Sequence, residues 1–60
     1  MNSEEIKCVG NRRLILSPKG DGIEIMIAKT GQPIARLVLE QKEVKRLIDD
    51  LVELYENLPR

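Results

Sequence analysis

The chain has 60 residues, ten basic and ten acidic side chains, one cysteine, one aromatic residue and no histidine. A domain of this length buries only about 60% of the surface that its unfolded chain exposes, so disulfides, metals or a second subunit usually stabilise it. One cysteine excludes an intrachain disulfide, and the lack of histidine argues against the usual zinc and haem sites. We therefore predict a single domain over residues 1–60 that self-associates.

Cys8 is the only thiol. No signal peptide and no long apolar run is recognisable, which predicts a reduced, cytoplasmic protein with no membrane partner. A lone cysteine in that setting is more often a small buried hydrophobic residue than a reactive thiol. We therefore expect Cys8 to be buried, with a Cys8–Cys8 bridge between two copies as the alternative.

The N-terminal third predicts a hairpin and a loop. Residues 1–5 are expected to be disordered. Residues 6–9 alternate weakly, and Gly10-Asn11 suits a two-residue type II′ turn into a strand over residues 12–16. Residues 17–22 have the sequence Ser-Pro-Lys-Gly-Asp-Gly, which is dense in turn formers and predicts a loop.

A second hairpin follows. Three isoleucines at positions 23, 25 and 27 alternate with other residues, which is the period of a strand with one strongly apolar face. A turn over residues 29–32 leads to Pro33 and a strand over residues 34–39. That strand has apolar side chains on both faces, so we expect both faces of the sheet to be covered.

From Glu40 onward the apolar period becomes 3.6 residues, which predicts a helix that Asn57-Leu58-Pro59 ends. We call its apolar side chains the helix stripe: Val44, Leu47, Ile48, Leu51, Val52, Leu54, Tyr55 and Leu58. Tyr55 is expected in the core. The fold class predicted is α+β, a small antiparallel sheet of three to four short strands in two hairpins, followed by one long C-terminal amphipathic helix packed on the sheet.

The chain lacks the residues for most catalytic chemistry. Without histidine, a nucleophile would have to be Ser3, Ser17 or Cys8 activated by a lysine or a carboxylate, and none lies in a recognisable motif. Gly20-Asp21-Gly22 precedes a strand and lacks the other residues of a phosphate-binding loop. We predict that the protein is not an enzyme and has no cofactor and no metal.

Charge is unevenly distributed along the chain. Residues 1–36 contain six basic and four acidic side chains, and residues 37–60 contain four basic and six acidic ones. The predicted contacts to duplex DNA phosphates are Arg12, Arg13 and Arg36. The acidic helix group, Asp49, Asp50, Glu53 and Glu56, is predicted to meet a partner protein with a basic surface. Solvated side chains are the simpler interpretation of both groups.

The chain has more apolar side chains than one thin sheet can cover, which predicts a homodimer. The residues expected at its packing surface are Met26, Ile34, Val38, Val52 and Leu54.

Residues 22–38 include the run Lys29-Thr30-Gly31-Gln32-Pro33-Ile34-Ala35-Arg36-Leu37. This segment resembles the hairpin of Phd/YefM-type antitoxins, a strand followed by approximately Lys-x-Gly-x-Pro-Val-Ala-x-Leu. The resemblance implies a DNA-associated, antitoxin-like regulator that forms a dimer. The alternative is a compact protein-binding inhibitor or adaptor, of the kind that phages or mobile elements encode, acting through its acidic helix or a sheet edge.

Overall fold

The computed structural model describes residues 3–59, which form a four-stranded antiparallel sheet and one helix. The elements are β1 (Glu4–Cys8), β2 (Arg12–Lys19), β3 (Gly22–Lys29), β4 (Gln32–Leu39) and α1 (Gln41–Glu56). Strands that are neighbours in sequence pair in the sheet, which has the order β1-β2-β3-β4. The helix contacts β3 and β4. The predicted α+β class, a small sheet followed by one helix packed on it, is confirmed.

The first hairpin forms with a different turn from the predicted one. Cys8 pairs with Arg12, so three residues connect the strands, and Gly10 and Asn11 both have positive φ, 73° and 58°. A type II′ turn has positive φ only at its first central residue, so that prediction is wrong. β1 begins at Glu4, and disorder was therefore wrongly expected for Glu4 and Glu5. The same expectation for residues 1–2 lies outside the described residues.

The loop predicted over residues 17–22 is wrong, because only Gly20 and Asp21 connect β2 to β3. Gly20 has φ +57°, the positive value that a type II′ turn needs at its first central position. Pro18 lies within β2, opposite Ile23. Proline is tolerated there because it lies beyond Leu16, where the described β1–β2 pairing ends.

The predicted turn between β3 and β4 is confirmed at Thr30-Gly31. Both residues have positive φ, 52° and 80°, as a type I′ turn requires. β4 begins at Gln32, slightly before the predicted start. Ala28 lies opposite Pro33 and Ile27 opposite Ala35, which leaves Ile34 as the extra residue of a β-bulge.

The helix begins and ends as predicted. The Glu43 carboxylate accepts a hydrogen bond of 2.9 Å from the backbone N–H of Glu40, which satisfies a free donor at the helix start. Asn57 donates a side-chain hydrogen bond of 2.8 Å to the Glu53 carbonyl at the helix end. Glu40 is the only residue between β4 and α1, so the chain turns from strand to helix abruptly.

Gly22 lies under that turn. A Cβ atom at position 22 would overlap the carbonyl oxygen of Leu39, so only glycine leaves room for the backbone. The chain therefore leaves β4 directly above residue 22, on the side of the sheet toward which a side chain at that position would point.

The chain has little core of its own. Among residues 3–59, only Ala28 is a buried hydrophobic side chain. The accessible surface is 5458 Å², whereas a compact chain of 6.8 kDa has about 4,000 Å². The radius of gyration is 12.8 Å, against about 10 Å for a compact chain of this length. Neither face of the sheet is fully covered, contrary to the expectation that both would be.

Candidate self-association and nucleic-acid surfaces

The pairing register divides the sheet into two chemically different faces. Residues opposite each other in an antiparallel pair point to the same face, and successive residues alternate. One side, the apolar face, carries the large apolar side chains Ile6, Leu14, Leu16, Ile23, Ile25, Ile27, Leu37 and Leu39. The opposite side, the charged face, carries Glu5, Lys7, Arg13, Lys19, Glu24 and Arg36, together with the apolar Ile15, Met26, Ala28 and Val38.

The apolar face is continuous across all four strands but is not buried. Leu37 on the edge strand β4 is 56% exposed, and Ile6 on the other edge strand is similarly exposed. The isoleucines of β3, at the centre of this face, are only half-buried. Two of the eight large apolar side chains are exposed and the other six are half-buried, and so continuous an uncovered apolar surface is typical of one that a partner covers.

The helix stripe is also largely unpartnered. Only Val44 and Leu47, in the first two turns of α1, are half-buried. Toward the end of the helix, Leu54 is 64% exposed and Tyr55 is 75% exposed. The expectation that Tyr55 lies in the core is therefore wrong.

The five residues predicted for the packing surface lie in three different places. Met26 and Val38 are on the charged face, Ile34 is at the bulge, and Val52 and Leu54 are on the helix. Sequence reasoning missed the apolar face as a surface because the pairing register was unknown. The isoleucine alternation in β3 was the available signal, and the same alternation in β2 and β4 completes the surface.

The structure separates the three predicted DNA-contacting arginines. Arg13 and Arg36 are on the charged face, where Arg13 Nη1 lies 3.6 Å from Glu5 Oε1 and Arg36 Nε lies 3.7 Å from Glu24 Oε2. Arg12 lies on the opposite side of the sheet, in the row that ends the apolar face.

Basic side chains meet where the first and third turns end the sheet. Lys7 lies directly opposite Arg13 on the charged face, and Arg12 lies directly opposite Lys29 on the other. A shallow cleft of about 450 Å³ is lined there by Lys7, Cys8, Asn11, Arg12, Arg13, Thr30 and Gly31. Like charges directly opposite each other destabilise a sheet, so both pairs favour a bound anion or a negative partner. Sequence reasoning did not single out Lys7 and Lys29.

Half of the acidic helix group is paired within the helix. Lys45 Nζ contacts both carboxylate oxygens of Asp49 at 2.8 Å, and Arg46 Nε lies 3.2 Å from Asp50 Oδ2. Glu53 and Glu56 form no ion pair with the residues that the structure describes. The free negative charge is therefore concentrated at the helix C-terminus.

Cys8 is exposed, so the prediction that it is buried is wrong. Its Sγ atom lies 3.6 Å from the Ile6 carbonyl oxygen, at the rim of the basic cleft. Over residues 3–59, no three acidic or cysteine side chains are grouped so that they could hold a metal ion. In the same range, no helix has the length and apolar character that crossing a membrane requires.

Comparisons with protein-family models, with curated proteins and with solved structures give no match to this chain.

Proposed function

We propose that the protein is a non-enzymatic homodimeric interaction module that contacts duplex DNA, as a small regulator of antitoxin-like type. The observation that carries the dimer is the scarcity of buried apolar side chains, with Ala28 as the only one among the described residues. Folding needs apolar burial to offset conformational entropy, and an open sheet and helix supply little of it.

The surface area supports a dimer of ordinary size. The chain exposes about 1,500 Å² more than a compact monomer of its mass, from the 5458 Å² present and the scaling of folded proteins. Obligate homodimers bury about 1,000–2,500 Å² per subunit. One interface with a second copy is therefore large enough to cover the excess.

The DNA-contacting surface that we propose is the charged face. Its basic side chains outnumber its acidic ones, with Lys7, Arg13, Lys19 and Arg36 against Glu5 and Glu24. The opposed pair of Lys7 and Arg13 is the most favourable position for a phosphate, because a bound anion relieves the repulsion between them. The antitoxin-like hairpin corresponds to β3 and β4, which contribute Arg36 to this face.

A salt titration tests this proposal. We expect duplex DNA binding at low ionic strength that weakens steeply as salt is added, because released counterions drive phosphate contacts. A variant carrying Lys7→Ala and Arg13→Ala removes four basic side chains per dimer. It should reduce the slope of log K against log salt by up to about four.

Arg46→Ala is the matched control, because it removes an arginine that is 80% exposed on the helix and is not part of the charged face. We expect this control to change the slope by less than one. The proposed DNA contact is contradicted if the unmodified protein does not bind duplex DNA at low salt, or if Arg46→Ala reduces the slope as much as the double variant does.

A compact protein-binding inhibitor or adaptor is the second candidate. It is favoured by the acidic C-terminal turn of the helix, which contains no basic residue, and by the exposed edge strand β4. An absence of DNA binding together with an intact dimer would support this candidate over the regulator.

A further inference from the structure

The apolar face and the helix stripe from Ile48 onward are two largely uncovered apolar surfaces on one chain. We infer that they cover each other between two copies, with the helix stripe of each subunit packed on the apolar face of the other. This inference rests on the proposed dimer and specifies its geometry. Such an exchange is isologous, because each subunit contributes a helix and a sheet to the same interface.

The helix cannot readily fold back onto its own apolar face. Connections from a strand to a helix usually have two to six residues, but Glu40 alone links β4 to α1. The chain also leaves β4 above Gly22, on the side of the charged face, since Gly22 alternates with Ile23 of the apolar face. The apolar face is therefore left for a different copy of the helix.

The two surfaces match in length. Sixteen helical residues extend about 24 Å, and strands of eight residues extend about 26 Å. Helix against helix would leave both sheets open, and sheet against sheet would leave both helices open. The reciprocal arrangement covers both surfaces with one symmetry operation, and the excess of about 1,500 Å² per chain is an area that one such interface can bury.

Charge fixes the direction of the helix on the partner sheet. Arg12 and Lys29 end the apolar face at the turns. The last turn of the helix contains Glu56 and no basic residue. With the helix C-terminus over the partner's Arg12 and Lys29, opposite charges meet there and the negative end of the helix dipole meets a positive row.

Two adjacent residues of β4 provide a matched test of the face. Leu37 on the apolar face is 56% exposed and Val38 on the charged face is 49% exposed. Replacing either residue by aspartate should therefore destabilise the single chain to a similar degree. We expect Leu37→Asp to raise the dissociation constant of the dimer at least about a hundredfold, because a dimer contains the substitution twice. Val38→Asp should change it less than about threefold. Equal effects, or a larger effect of Val38→Asp, would overturn the assignment of the face.

Cross-linking tests the pairing of helix with sheet. In a Cys8→Ser background, two variants with one thiol each, Leu37→Cys and Leu51→Cys, are mixed and treated with a short bismaleimide. We expect the mixed 37–51 product, which cannot form within one chain, to dominate. A dominant 51–51 or 37–37 product, or a dimer with no cross-link, would overturn the exchange and leave the proposed dimer standing. A monomer by sedimentation would overturn both.

Discussion

Thr30 has a backbone conformation that its side chain disfavours. It has φ +52°, in the left-handed region, where a β-branched residue is an outlier. The type I′ turn requires this conformation, and the Thr30 backbone N–H also donates a 3.1 Å hydrogen bond to the Asn11 carbonyl. The turn is therefore held in place by its neighbours at a cost of about 1–2 kcal/mol in local strain.

Replacing Thr30 by asparagine should remove most of that strain. Asn-Gly is the preferred type I′ pair, and the backbone hydrogen bond to Asn11 is retained. We expect Thr30→Asn to raise the free energy of unfolding by about 1 kcal/mol in urea denaturation at a fixed protein concentration. Thr30→Val keeps the β-branched carbon and should give no gain. A lower unfolding free energy for Thr30→Asn would show that the turn does not strain residue 30.

At the scale of single elements, α1 starts with a capping box in which the N-cap residue is Glu40 and not the usual Ser, Thr, Asp or Asn. The Glu43 carboxylate accepts the Glu40 backbone N–H at 2.9 Å and also places negative charge at the positive end of the helix dipole. We expect Glu43→Ala to lower the free energy of unfolding by about 0.5–1 kcal/mol. Gln41→Ala, also exposed in the first turn, is the control and should be nearly neutral. Equal effects of the two substitutions in urea denaturation would exclude this cap.

The same elements show how far local patterns predict this fold. The isoleucine alternation of β3, the Thr30-Gly31 turn and the 3.6-residue period of α1 were sufficient to predict the second hairpin and the helix. The pattern failed at Pro18, because proline usually indicates a loop but here lies in β2 beyond Leu16, where the described pairing with β1 has ended. The bulge at Ile34 arises from the β3–β4 register, which no local pattern contains.

Predicting the candidate surfaces requires the long-range strand pairing even more than predicting the individual elements does. The sequence correctly places Arg12, Arg13 and Arg36 on strands. The face of the sheet on which each arginine lies follows only from the strand-pairing register. Lys7 becomes relevant because β1 pairs with β2 and brings it opposite Arg13. The exposure of Cys8 and Tyr55 could not be inferred from composition, since cysteine is usually buried and an apolar stripe on a helix usually packs on the core of its own chain.

At the scale of the whole molecule, one amphipathic sheet and one amphipathic helix leave their apolar surfaces open. The sheet directs its charged face away from the apolar face, and the helix directs its acidic group away from its stripe. In the proposed dimer, a second copy covers both apolar surfaces and leaves the part of the charged face around Lys7 and Arg13 available for DNA. Folding and association would then be one equilibrium, so we expect the stability of the protein to rise with its concentration.

Sedimentation equilibrium at micromolar concentration tests this central claim most directly. We predict a mass of twice the 6.8 kDa chain, with the folded fraction falling as the protein is diluted. A folded species of 6.8 kDa whose stability does not depend on concentration would contradict the account.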